Sequence, residues 1–119
     1  MKKTLVLGAT TNAGRYAYLA VNALTRHGHE VVPVGVRTGE VAGIPIQHGM
    51  PPVPEVDTIT LYIGPARQTA YYHYILSLQP KRLIFNPGTE NPELAALAEA
   101  HGIETVEGCT LVMLSIGGY

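Results

Sequence analysis

Apolar residues in this chain fall into short unbroken runs, separated by stretches of helical period. Thr4–Gly8 is a brief apolar run ending on glycine, too short for a helix, and reads as a buried strand. Arg15–His27 carries Ala17, Ala20, Val21 and Leu24 at helical spacing, with Gly28 where glycine stops helices. Glu30–Val34 is a second, β-branched strand. Val36–Val56 is rich in Gly and Pro and reads as an irregular crossover holding a small strand at Ile44–Ile46. Thr58–Ile63 is the third strand, broken by Gly64 and Pro65. Arg67–Leu78 sets Ala70, Tyr71, Tyr74, Ile75 and Leu78 on one side, which predicts one helix ended by Pro80. Arg82–Phe85 is the fourth strand and Asn86-Pro87-Gly88 its turn. Pro92–His101 is a helix, with Asn91 to cap it, Pro92 suited to the first turn and Gly102 to stop it. Ile103–Val106 is the fifth strand, and the apolar tail after Cys109 has no readable period.

Strands alternating with helices, the strands apolar on both faces, predict an α/β fold. The expected architecture is a single doubly wound Rossmann-like domain over residues 1–119, a mostly parallel five-stranded sheet with helices on both faces. A chain of 119 residues suits one domain with a real core. Hydrophobic residues at 46% against 14% charged exclude disorder. A net charge of −1 argues against nucleic acid as a partner. The single cysteine, Cys109, excludes a disulfide within the chain. Met1-Lys2-Lys3 opens like a signal peptide, but the apolar run behind it is too short, and Asn12 and Arg15 interrupt it. No stretch approaches the roughly 18 apolar residues of a membrane span. The expected setting is reducing and cytoplasmic, without a membrane partner. The weakly charged surface and apolar tail are compatible with a homodimer.

In an open parallel sheet, ligands bind beyond the carboxyl ends of the strands, near the reversal of strand order. Four junctions fall there: Gly8–Tyr16, Gly35–Arg37, Gly64–Arg67 and Asn86–Glu90. In the first, Gly8 allows a tight turn, Thr10, Thr11 and Asn12 supply short polar side chains, and Arg15 adds charge. Free N–H groups at the start of the following helix suit phosphate oxygens. An ordinary turn in which Thr11 or Asn12 caps the helix is the plainer alternative. The loop is not G-x-G-x-x-G, since its glycines are Gly8 and Gly14. The second strand ends Val34-Gly35-Val36-Arg37, with no carboxylate for a ribose diol. Arg37 suits an extra phosphate on the ribose, as in NADP or coenzyme A (CoA), or is a solvated surface residue.

Gly8-Ala9-Thr10 with Arg15-Tyr16, followed by His29-Glu30-Val31-Val32-Pro33-Val34, resembles the opening of the small CoA-binding proteins. These are similar to the CoA-binding domain of succinyl-CoA synthetase alpha subunits. The segment Asn91–Cys109 also resembles that family's helix, strand and terminal cysteine, so the likeness covers essentially the whole chain. The resemblance implies that Gly8, Ala9, Thr10, Thr11 and Asn12 face the CoA pyrophosphate, beside Arg15 and Tyr16. It implies that Gly35, Val36 and Arg37 approach the adenosine and its 3′-phosphate. Gly64, Pro65 and Ala66 would line the middle of the ligand, and Asn86, Pro87 and Gly88 would complete the site. Family members often carry Ser where Thr10 stands, and Arg where Gly108 stands.

The five histidines are scattered and no Cys/His spacing suits zinc, so no metal site is expected. His27 and His101 each precede a helix-ending glycine, where a histidine favours the negative helix end. Cys109 shows neither a basic neighbour nor a readable helix start, so an inert buried thiol is expected. On one continuous helix Tyr71 and Tyr74 would share a face and pack against the sheet or a partner subunit. The phosphorylated histidine of succinyl-CoA synthetase chemistry belongs, by the resemblance, to a further domain. No catalytic residue is therefore assigned. The expected function is a stand-alone, non-catalytic CoA or acyl-CoA binder, with a small NADP-binding oxidoreductase or nucleotide-sensing domain as the alternative.

Overall fold

The apolar runs become the strands of one parallel sheet in the computed structural model, which describes residues 1–119. The strands are β1 (Thr4–Leu7), β2 (Val31–Val34), β5 (Thr58–Leu61), β6 (Arg82–Phe85) and β7 (Glu104–Glu107), in the order β2-β1-β5-β6-β7. Every neighbouring pair is parallel. The first four are buried along their whole length, which is why they read as continuous apolar runs. Pro33 lies within β2, an edge strand, where a missing N–H costs the ladder least.

Helix α1 (Tyr16–Arg26) lies on one face, where Ala17, Val21 and Leu24 pack with Val6. Helices α3 (Tyr72–Ser77) and α4 (Pro92–Ala100) cover the other face, packing Tyr74, Ile75, Leu94 and Ala98 with Leu5, Ile59, Leu83 and Phe85. Gly28 and Gly102 sit at φ 82° and 76°, just past the ends of α1 and α4. The Asn91 side chain accepts from Leu94 N and caps α4.

Two expectations need correction. The helix expected over Arg67–Leu78 is two: α2 (Pro65–Gln68) and α3, joined by a tight 3₁₀ turn at Thr69–Tyr71. Gln68 explains the departure, since its fully buried side chain donates to Ile63 O (2.9 Å) and Thr89 O (2.8 Å). This fixes a register that helical periodicity does not anticipate. The crossover contains a hairpin rather than a lone strand, β3 (Glu40–Val41) with β4 (Ile44–Pro45). Its turn residues Ala42 and Gly43 have φ of 53° and 77°, the positive pair that matches strand twist.

The tail forms α5 (Thr110–Ser115), which docks Leu114 beside α1. Tyr119 then reaches under the sheet. Its hydroxyl pairs with Thr4 Oγ1 at 2.5 Å, and the Arg82 guanidinium lies 4.3 Å from its ring centre. Arg82 is buried at the start of β6, with Nε donating to Thr58 Oγ1 and Nη1 to the main-chain oxygen of Tyr119.

Candidate functional site

Strand order reverses between β1 and β5, because β1 connects outward to β2 and the chain then returns to β1's other side. A cleft of about 610 Å³ opens there, at the carboxyl ends of the strands. Its floor depends on two glycines. Gly8 has φ 102°, a conformation that L side chains rarely adopt. A Cβ on Gly35 would stand 2.2 Å from Ala9 O, so only glycine lets the ends of β1 and β2 approach this closely.

Gly8, Ala9 and Thr10 line the cleft, with Gly14, Arg15, Tyr16 and Ala17 from the start of α1. Gly35, Val36 and Arg37 line it from the end of β2. Thr11 and Asn12 lie just outside, where Thr10, Arg15 and Arg37 join them around an adjoining pocket with no hydrophobic lining residue. The His48 ring Nε2 meets Arg37 O at 3.0 Å, which pins the loop carrying that arginine.

The amides divide unequally. Gly8 N and Ala9 N both donate to Val34 O at 2.9 Å, so these two are committed to the sheet rather than open to a ligand. Asn12 Oδ1 accepts from Gly14 N, and Asn12 O from Arg15 N. Neither Thr11 nor Asn12 caps the first turn of α1, and its cap position, Arg15, makes no side-chain capping bond. The N–H groups of Tyr16, Ala17 and Tyr18 have no acceptor. The start of α1 thus presents open donors and the positive end of the helix dipole, the arrangement that binds anions.

Other sequence-expected residues stand elsewhere. Gly64 is the cap position of α2 and Pro65 and Ala66 are its first residues; none of the three lines the cleft. Pro87 lines it, but Gly88 does not, and Gly88 N donates to Glu90 Oε1. Asn86 is 2% exposed and faces inward. Its Nδ2 donates to Thr60 Oγ1 (2.6 Å) and Leu61 O (2.9 Å), and its Oδ1 accepts from Thr110 N (2.9 Å). It holds the cleft wall together from behind.

The far wall comes from Tyr62, Ile63, Arg67, Tyr71 and Thr89, none of them named as a site residue from the sequence. Arg67 and Thr89 did lie within two of the flagged junctions, Gly64–Arg67 and Asn86–Glu90, which was their only signal. Tyr74 is buried in the core and donates to Pro51 O at 2.6 Å, and Tyr71 packs against the same core, as expected, while also lining the cleft. The Tyr62 hydroxyl is buried without a hydrogen-bond partner. Burial pushes its pKa up to about 12, while the nearby Thr110 hydroxyl pulls the other way. Cys109 is half-buried at the cap position of α5, a helix start that the tail's sequence did not reveal. The cleft lining contains Arg15, Arg37 and Arg67 but no Asp, Glu, His or Cys.

A cationic, amide-rich crevice at a strand-order reversal suits a phosphorylated ligand, and comparison with known proteins narrows the group. Residues 2–115 match the model of a family described as CoA binding domain. The chain belongs to that CoA binding domain family. A crystal structure of an uncharacterized protein is similar over 100% of this chain and 98% of its own, with 59% identity and a TM-score of 0.98. A protein redesigned for binding shares the fold at 23% identity and TM-score 0.88, over 99% of this chain and 85% of its own. A hypothetical protein from Pyrococcus horikoshii OT3 does so at 22% identity and TM-score 0.87, over 97% and 82%. No curated protein matches the chain. The family confirms the resemblance read from Gly8-Ala9-Thr10 and His29–Val34, and the α/β Rossmann-like fold is that of its structural neighbours. No helix is long and apolar enough to cross a membrane.

Proposed function

We propose that this CoA binding domain is a stand-alone, non-catalytic binder of coenzyme A or an acyl-CoA. In this reading the pyrophosphate lies on Thr10, Thr11 and the start of α1, and Arg37 with Arg15 takes the 3′-phosphate. The observation that carries it is the uncapped start of α1, three N–H groups without acceptors in a cleft whose charged residues are all arginines. Helix starts without a side-chain cap lose about 1 kcal/mol, which a bound anion would restore. The pairing of Arg15 and Arg37 around a wholly polar pocket supports a phosphate beyond the diphosphate.

A thermal-shift panel of CoA, acetyl-CoA, NAD and NADPH tests the reading. Ligand at 100 times its dissociation constant stabilises the fold by about 2.7 kcal/mol. CoA or acetyl-CoA is expected to raise the midpoint. A response to NADPH with none to either CoA form would overturn the proposal in favour of an NADP-binding oxidoreductase or sensor, since Arg37 suits a 2′-phosphate equally well. The single thiol fits a cytoplasmic setting. Exposed Val112 and Ile116 of the apolar tail favour a homodimer, which sedimentation would test.

A further inference from the structure

The amino ends of the strands, opposite the cleft, carry a second set of contacts that ligand binding does not use. Tyr119 is seated there. Its hydroxyl pairs with Thr4 Oγ1 at 2.5 Å, at the start of β1. Its main-chain oxygen accepts from Arg82 Nη1 at 2.9 Å, at the start of β6, and from Lys2 Nζ. The Arg82 guanidinium lies 4.3 Å from its ring centre. Arg82 is 7% exposed and its Nη2 is buried without a partner, so Tyr119 packs over a cation that is only partly satisfied. Gly117 and Gly118 join Tyr119 to α5, a link whose freedom the contacts at Tyr119 must offset.

His29 completes the seat. It lies between the end of α1 and β2, and its ring meets that of Tyr119 at 61°, with centres 4.9 Å apart. Its Nδ1 accepts from Lys2 N at 3.0 Å. A main-chain N–H can only donate, so this nitrogen carries no proton while the bond stands. The groups facing the ring are basic or neutral. They are the amino group of Met1 and Lys2 from the chain start, His27 from the end of α1, Arg82 from β6 and the Tyr119 phenol from the tail. The neighbouring carboxylates are engaged elsewhere, Glu30 with Lys3 at 3.7 Å and Asp57 with Thr58 Oγ1 at 2.7 Å. A proton on Nδ1 thus breaks the bond to Lys2 and adds a positive charge among cations. Burial first, then the amino group, His27, Lys2 and Arg82, hold the His29 pKa below its ordinary 6.5.

We propose that Tyr119 is a latch across the amino ends of β1 and β6, and that protonation of His29 opens it. Loss of the bond to Nδ1 frees the segment whose Lys2 Nζ holds Tyr119 O, and the added charge repels Arg82, the other half of the grip. The latch is closed above about pH 6.5 and opens as pH falls through the lowered value, since the open state binds the proton more tightly. The other end of the tail stays fixed, because Thr110 N donates to Asn86 Oδ1 and Thr110 Oγ1 pairs with Thr60 Oγ1. Opening therefore bares Arg82 and leaves the cleft intact. Nothing in this device depends on which ligand the cleft takes.

The test is NMR relaxation of the whole protein from about pH 7.5 to about pH 5, read at the amides of Tyr119 and Thr110 and at the His29 ring. The order parameter at Tyr119 is expected to fall from about 0.85 to below about 0.6, with Thr110 unchanged. Its midpoint should coincide with the titration of the His29 ring and lie below about 6.5. His29→Asn keeps an acceptor near the Nδ1 position and cannot titrate, so Tyr119 should stay ordered throughout in that variant. A native Tyr119 that is ordered at both ends of the range, or flexible at both, would overturn the proposal. So would separate midpoints for Tyr119 and His29, loosening that includes Thr110, or equal loosening in the native protein and H29N. The comparison of midpoints needs only the native protein, so it decides the matter where H29N fails to fold.

Discussion

Substituting Asn86 by alanine separates a ligand contact from an internal strut. The side chain is 2% exposed and makes three hydrogen bonds, to Thr60 Oγ1, Leu61 O and Thr110 N. Each contributes about 1 kcal/mol net, and truncation leaves Thr110 N and Leu61 O buried without this partner, so Asn86→Ala should lose about 3 kcal/mol. Unfolding entropy near 60 °C is about 2.1 cal/mol/K per residue, or about 0.25 kcal/mol/K for a chain of 119 residues. The midpoint should therefore drop by about 12 °C. Calorimetry reads this directly, and urea titration should show a lower midpoint at an unchanged slope. The rise in midpoint caused by saturating CoA should be the same in both proteins. A drop of less than about 4 °C, or loss of the CoA-induced rise in a variant as stable as the native protein, would refute the reasoning, because Asn86 would then act on the ligand.

Further expectations follow from the same geometry. Arg37→Ala should weaken CoA by about tenfold and dephospho-CoA much less, by calorimetric titration; equal losses would show that Arg37 does not meet the 3′-phosphate. Gly35→Ala sets a Cβ 2.2 Å from Ala9 O and should cost about 1–3 kcal/mol in urea unfolding, so a variant as stable as the native protein would contradict the close approach. Tyr62 has a folded pKa of about 12 against 10 for the free phenol. Its contribution to stability is complete below pH 10 and lost as pH rises from 10 through about 12. Tyr62→Phe should remove that part of the alkaline stability loss while costing little near pH 7, since the hydroxyl has no partner to lose.

Much of the sheet was legible because four of its five strands are buried along their whole length. Thr4–Leu7, Val31–Val34 and Arg82–Phe85 are apolar throughout or nearly so, and no other element writes that pattern in four residues. Helices α1 and α4 were legible from Gly28 and Gly102, and α4 also from its Asn91 cap. The second helix was misread where tertiary hydrogen bonds to Gln68 overrode the period of Tyr71, Tyr74 and Leu78. The six-residue α5 was hidden because so short a segment carries little periodicity, and its place depends on Asn86 and Thr60 binding Thr110 from other elements. The cleft divided similarly. The wall formed by Gly8–Ala17 and Gly35–Arg37 is local in sequence and could be read from the turn chemistry. The wall formed by Tyr62, Arg67, Tyr71 and Thr89 exists only once β5 and β6 lie side by side. The inward direction of Asn86 was not legible because a turn asparagine looks the same whether its amide points out or in.

The buried amide of Gln68 has a mechanical consequence. It grips Ile63 O on one loop and Thr89 O on the next, while its own oxygen accepts from Asn91 Nδ2, which also donates to the Tyr72 hydroxyl. Two segments that are distant in the chain are yoked through one side chain and travel as a single jaw. An occupant that pries one of them outward must drag the other along, so this side of the crevice resists widening.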